Sequence, residues 1–180
     1  MDFRVGTATR LSFPEAGFDA AVSTQVYEYL SDSDVTTALS ELYRVLRPGG
    51  RAVILDTDGD SLVWHSTDPA RMKRVFEAWS EHCADFHLPR SLSSRLTQAG
   101  FRVHRRDCLA LFNPDYDPNT YSYGLIGLIV AFVPGRQGLT KEEAEAWAED
   151  LRRLGREGSY FFSLNRYLFL AIKPASAKST

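Results

Sequence analysis

Hydrophobic and polar positions along the chain follow two periods. Apolar runs at residues 3–6 (FRVG) and 18–24 (FDAAVST) predict two short strands, joined by a loop that carries Ser12, Pro14, Glu15 and Gly17. Between Ser33 and Leu46 the period changes: Val35, Ala38, Leu39, Leu42, Val45 and Leu46 recur every three or four positions, as on one face of a helix that Asp32 or Ser33 can cap. Pro48 cannot continue that helix, and Gly49 and Gly50 tolerate the left-handed backbone expected to close it. The following RAVILD is nearly continuous in apolar residues, as a strand of a parallel sheet is.

Downstream, Thr67, Asp68 and Pro69 open a helix whose stripe is Met72, Val75, Phe76, Trp79 and Cys83, and a shorter helix over 92–99 stops at Gly100. FRVHRRDCLALF predicts a strand with Val103 and the run from Leu109 to Phe112 as its buried part. NPDYDPNTYSYG then leads into the apolar run LIGLIVAFV at 125–133, expected as a helix over one end of the sheet. Thr140 and Glu143 form a capping box for a helix through Leu154, and SYFFSLNRYLFLAIKP closes the fold as a long strand. Residues 1–174 are expected to form one partial domain and 175–180 a disordered tail.

With 180 residues, 44% hydrophobic and 24% charged, the chain can bury a core. A net charge of -2 gives no basic field for nucleic acid or anionic lipid, so neither is an expected partner. Cys83 and Cys108 lack a C-x-x-C arrangement, which disfavours a disulfide framework and, with His82 and His87 nearby, still makes no metal site. Asp56 and Asp58 lack a third convergent ligand, and no metal is assigned. The N-terminus has no signal-peptide core, and the 125–133 run is too short to span a bilayer. A cytoplasmic location is expected.

More specific are VGTATRLSFPEAGFDAAVSTQVYEYL, ALSELYRVLRPGG and RAVILDTD, which together cover roughly residues 3–58. These stretches resemble the C-terminal two thirds of class I S-adenosylmethionine-dependent methyltransferases, most closely the branch with the ubiquinone and menaquinone C-methyltransferases. The family pattern G-D-A-x-x-L-P-F-x-x-x-x-F-D is met by Gly6, Thr7, Ala8, Leu11, Ser12, Phe13, Phe18 and Asp19, and R-V-L-R-P-G-G by residues 44–50. The resemblance implies an α/β fold: the C-terminal part of a Rossmann-like sheet, with parallel strands and a C-terminal antiparallel hairpin. It further implies S-adenosylmethionine as cofactor, with Gly6, Thr7 and Ala8 beside the adenine and Thr24, Gln25 and Val26 beside the methionine half. Thr7 stands where the family has aspartate, and offers a weaker, uncharged acceptor.

The family's glycine-rich turn and the acidic residue that holds the ribose occur nowhere in the chain. In the family order 3-2-1-4-5-7-6 the two strands that carry them lie between the segments at 3–6 and 18–24, so FDAAVST is expected as an apolar open edge. The chain is therefore expected to be either the remainder of a longer enzyme or a half that pairs with another chain, the edge being an expected homo-oligomer contact. Methyl transfer from a sulfonium needs positioning and exclusion of water, and a base when the acceptor must lose a proton. Past the strand ends, Tyr27, Tyr29, Asp58 and Trp64 are candidates for a small-molecule methyl acceptor, His65 for the base, and Tyr116, Tyr121 and Tyr123 for a lid. Glu28 either orients its loop or caps it. The competing class is a non-catalytic fold kept as an interaction module; no glycine turn supports a dinucleotide oxidoreductase, and no G-x-S-x-G a hydrolase.

Overall fold

The computed structural model describes residues 3–175. In chain order the elements are β1 (Phe18–Thr24), α1 (Asp32–Val45), β2 (Leu46–Thr57), β3 (Val63–Trp64), α2 (Pro69–Ser80), α3 (Pro89–Gln98), β4 (Arg102–Asn113), α4 (Tyr121–Phe132), α5 (Lys141–Arg156) and β5 (Phe162–Ile172), with single 3-10 turns at Tyr27–Tyr29 and Gly59–Ser61. Strand order is β1-β2-β5-β3, and β4 pairs with β5. The chain divides into two compact units, one of residues 3–58, 87–109 and 166–175, the other of 59–86 and 110–165. Residues 176–180, expected as a disordered tail, lie outside the described residues.

In the first unit β1 runs parallel to β2, from Ala20 opposite Arg51 to Thr24 opposite Leu55. On its other side β2 runs antiparallel to β5, from Arg51 opposite Ile172 to Thr57 opposite Arg166. One sheet face, Ala52, Ile54, Phe169 and Ala171, is sealed by Val35, Ala38, Leu39 and Leu42 of α1 and by Leu92 and Leu96 of α3. The stripe read from the 3.6-residue period is thus the buried stripe of α1, and Ser31, not Asp32 or Ser33, caps it by accepting from the Asp34 amide.

In the second unit, Trp64, Trp147 and Phe162 form the aromatic centre of a core with Ile126, Ile129 and Leu151. Thr140 and Glu143 close the expected capping box on α5. Buried Asp150 of α5 accepts from Ser66 Oγ at 2.7 Å, Thr67 Oγ1 at 2.6 Å and the Thr67 amide at 3.0 Å, which fixes the chain entering α2.

Three expectations need correction. Residues 3–6 form no strand: Phe3 and Val5 are exposed, with no neighbouring strand to pair with among the described residues. On β4, Leu109 and Phe112 are exposed rather than buried. The R-P-G-G joint also differs, because α1 passes directly into β2 through an extended Leu46 (φ -79, ψ 139) and the glycines lie inside the strand. What satisfies the end of α1 is a lysine: buried Lys173 donates to the carbonyls of Tyr43 at 2.9 Å and Leu46 at 2.8 Å, with its ammonium 4.4 Å from the Tyr43 ring centre. Gly49, at φ +81, donates to the Lys173 carbonyl at 2.9 Å and so ties the same two segments.

The role of Gly50 is steric. A Cβ there would stand 2.8 Å from the Arg47 carbonyl oxygen and 3.3 Å from that of Asp19. Gly50→Ala is expected to lower unfolding free energy by about 2 kcal/mol, as strained backbone sites do. Gly49→Ala, with open space but a left-handed backbone, should cost about 1 kcal/mol. Urea unfolding of the two variants checks the order.

Candidate functional site

At the carboxyl end of the parallel pair the chain leaves β1 through Gln25, a non-glycine residue at φ +52. Its amide donates to the Leu55 carbonyl at 2.8 Å, and its side-chain amide donates to Thr57 Oγ1 at 3.3 Å while accepting from Arg166 of β5 at 2.8 Å. The strained turn is held by two strands at once. The 3-10 turn that follows buries Tyr27 and Glu28 and leaves Val26 and Tyr29 exposed.

Glu28 accepts from the Thr57 amide at 3.3 Å, and burial, first, raises its pKa. Asp56 is fully buried, and neither of its oxygens reaches a hydrogen-bond partner. Burial and the charge of Glu28 push its pKa up to about 7, while the nearby Val26 and Glu28 amides, outside good hydrogen-bond geometry, offset only part of that push. Burial, with Asp56 second, raises Tyr27 well above the ordinary phenol range. The turn therefore rests on two carboxyl groups whose burial makes ionisation costly. Asp58, one step further along, accepts from Arg90 through both oxygens at 2.7 and 2.9 Å.

Beside this turn opens an apolar hollow of about 360 Å³, lined by Ala8, Leu11 and Phe13 on one side and by Phe18, Val22, Val26 and Leu42 among others. Arg44 holds that first wall: it donates to the carbonyls of Phe13 at 2.9 Å and Leu11 at 3.0 Å, while its partner Glu41 accepts from the Leu11 amide at 2.8 Å. Gly6 and Thr7 line an adjoining hollow, where Thr7 Oγ1 lies 2.9 Å from Thr9 Oγ1. Gly6, Thr7, Ala8, Thr24, Gln25, Val26, Tyr27 and Tyr29 thus all fall in the first unit, with Tyr27 buried.

The remaining candidates fall in the second unit. Trp64 is in the core, its indole donating to Tyr160 Oη at 2.8 Å and meeting Trp147 edge-on at 5.5 Å. His65 is exposed and lines an open groove with Val63, Ser159 and Phe161. Tyr121 and Tyr123 lie partly exposed on the first turn of α4, and Tyr116 packs on Tyr123 and Tyr160. Two residues that position the site escaped the sequence reading, Arg166 and Lys173. The signal for Arg166 is a guanidinium in the middle of the apolar strand FSLNRYLFL.

Comparison with known proteins follows the same division. The family model described as a methyltransferase domain matches residues 1–54. A demethylmenaquinone methyltransferase from Deinococcus radiodurans is 44% identical over 54 residues, 30% of this chain and 22% of the relative. A malonyl-[acyl-carrier protein] O-methyltransferase from Erwinia billingiae is 32% identical over 105 residues, 55% of this chain and 41% of the relative. The chain thus matches less than half the length of either relative. Among solved structures, a SAM-dependent methyltransferase from Methanosarcina mazei superposes with a TM-score of 0.54 at 13% identity over 97% of this chain and 68% of its own. The [4+2]-cyclase SpnF superposes equally well, with a TM-score of 0.54 at 19% identity over 97% and 56%. Residues 1–54 match the family model of a methyltransferase domain, and the chain has the fold of the class I S-adenosylmethionine-dependent methyltransferases.

The Asp56 environment makes stability depend on pH. A carboxyl whose folded pKa lies above its unfolded value of 3.8 contributes fully below that value, and the contribution is lost as pH rises toward about 7. Asp56→Asn should leave stability unchanged in acid and raise it by about 3 kcal/mol in mildly alkaline solution. Urea unfolding of parent and variant across that range checks the sign.

Proposed function

We propose that the chain forms part of an S-adenosylmethionine-dependent methyltransferase acting on a small molecule. The observation that carries this reading is the strained Gln25–Tyr29 turn at the carboxyl end of a parallel pair, opening on the apolar hollow walled by Ala8 and Val26. The residues present fit one side of the cofactor. Ala8, Leu11 and Val26 offer an apolar slot for the adenine, with the Thr7 hydroxyl nearby as acceptor, and Thr24 and the Gln25 turn border the methionine half. Among the described residues no glycine-rich turn follows a strand.

When bound, the cofactor supplies an electrophilic methyl group on a sulfonium. The chain's own part is to orient and to exclude water. The Arg166–Gln25–Thr57 bonds keep the turn in its strained form. For an acceptor that must lose a proton, His65 is the proposed base, with Val63 and Phe161 of its groove, and Tyr121 and Tyr123, as apolar and aromatic contacts. The name of the Deinococcus relative makes demethylmenaquinone the acceptor to try first. Cys83 and Cys108 form no disulfide, and no helix among the described residues is long and apolar enough to cross a membrane, which supports a cytoplasmic setting.

Saturation-transfer NMR with S-adenosylhomocysteine tests the cofactor side. The expected result is transfer to the adenine protons that Ala8→Trp abolishes by filling the hollow; no transfer to the ligand at millimolar concentration from the folded chain overturns the reading. His65→Ala should leave that signal intact and lower methylation about a hundredfold.

A further inference from the structure

Helix α4 of the second unit, YSYGLIGLIVAF, has no charged side chain along its whole length. A helix that is apolar on every side is expected to be buried on every side. Here Leu125, Ile126 and Ile129 enter the core of the unit, whereas Tyr121, Gly124, Gly127, Leu128 and Ala131 are exposed, Leu128 at 62%. At 3.6 residues per turn these five positions fall within about a third of the helix circumference. A Cβ built on Gly124 or Gly127 meets no atom within 4 Å, so the face is open as well as uncharged.

Size and charge along this face both fit a second copy of itself. In an antiparallel pair of α4 helices with a two-fold axis level with Ile126, positions equidistant from 126 meet: Gly124 faces Leu128, and Tyr121 faces Ala131. Each large side chain then meets a small one, on both sides of the axis. Sliding the pair by one turn sets Tyr121 against Leu128, and a parallel pair sets Leu128 against Leu128. Charge selects the same direction. Exposed Asp115 and Asp117 precede α4, with no basic residue from 113 to 132, and Arg136 and Lys141 follow it, with no acidic residue from 133 to 141. The Arg136 guanidinium lies 3.8 Å from the Phe132 ring centre and 3.6 Å from Glu81, and 38% of the side chain stays exposed. Antiparallel helices bring the acidic flank of each copy toward the basic flank of the other, whereas parallel ones oppose like charges. We infer that the second unit binds a second copy of this chain through α4, the helices antiparallel about a two-fold axis near Ile126, with Leu128 of each seated on Gly124 of the other. One helix face covers less than the roughly 800 Å² per partner of a stable interface, so the dimer forms reversibly at micromolar concentration. The inference stands or falls independently of methyl transfer.

Sedimentation of the full chain, without cofactor, from low micromolar to submillimolar concentration tests this. The expected result is a monomer–dimer equilibrium with no larger species, because a two-fold contact closes on itself. Leu128→Lys should weaken the dimer at least about tenfold. Gly124→Leu separates fit from mere adhesion. It adds apolar surface and a better helix former, so an unspecific sticky face would associate more tightly, whereas the inferred register sets leucine on leucine and weakens the dimer about tenfold. Circular dichroism of both variants verifies that the fold is kept. A chain that stays monomeric at every concentration overturns the inference, as does a dimer indifferent to Leu128→Lys or strengthened by Gly124→Leu. A monomer that instead binds neutral phospholipid vesicles, and loses that binding in Leu128→Lys, also overturns it and assigns the face to lipid.

Discussion

The parallel pairing of β1 with β2 is the constraint on which the rest of the first unit depends. Because the strands run the same way, the chain between them must cross the sheet, and α1 makes that crossing with its apolar stripe turned to Ala52 and Ile54. The same pairing brings the carboxyl ends of β1 and β2 side by side, so that Gln25 can bond to Leu55 and Thr57 and hold a left-handed backbone that an isolated loop would abandon. It also leaves β1 with an outer edge that no described strand pairs. The candidate site thus follows from one topological fact.

Charged side chains do work in this unit that backbone does elsewhere. Lys173 closes α1 where a glycine cap was expected, Arg44 clamps the carbonyls of Leu11 and Phe13, and Arg166 bonds the turn at Gln25. Each joins segments far apart in sequence, so each depends on the completed fold. Asp56 is the reverse case, a carboxyl buried with no partner to keep its charge. Groups of this kind are costly to bury and concentrate at functional sites, which agrees with its place beneath the turn.

Local pattern made the helices legible. The three- and four-residue spacing from Val35 to Leu46 marks the buried stripe of α1, and Thr140 with Glu143 marks the start of α5, because both signals act within a few residues. The misreadings share one cause, dependence on a partner the local sequence does not name. FRVG has strand composition and no strand beside it among the described residues, Leu109 and Phe112 have apolar composition and stay partly exposed, and Gly49 and Gly50 serve β2 because Lys173 already satisfies the helix end. Of the candidate site, the residues from Gln25 to Tyr29 were singled out by resemblance, whereas the left-handed backbone at Gln25 was not foreseen. Arg166 and the unpartnered state of Asp56 were not, since both depend on register between β2 and β5.

The same logic separates what relatives can tell about cofactor from what they can tell about acceptor. The family match spans residues 1–54, which contains the residues assigned to the cofactor and none from the second unit. Similarity is therefore strongest where every member of such a family must bind the same molecule. Relatives of this chain carry names with unlike acceptors, a demethylmenaquinone in one and a malonyl-[acyl-carrier protein] in another, and a [4+2]-cyclase shares the fold. The family match therefore carries no information about an acceptor. The parts of this chain that it does not reach include the groove of Val63, His65 and Phe161 and the partly exposed tyrosines of α4.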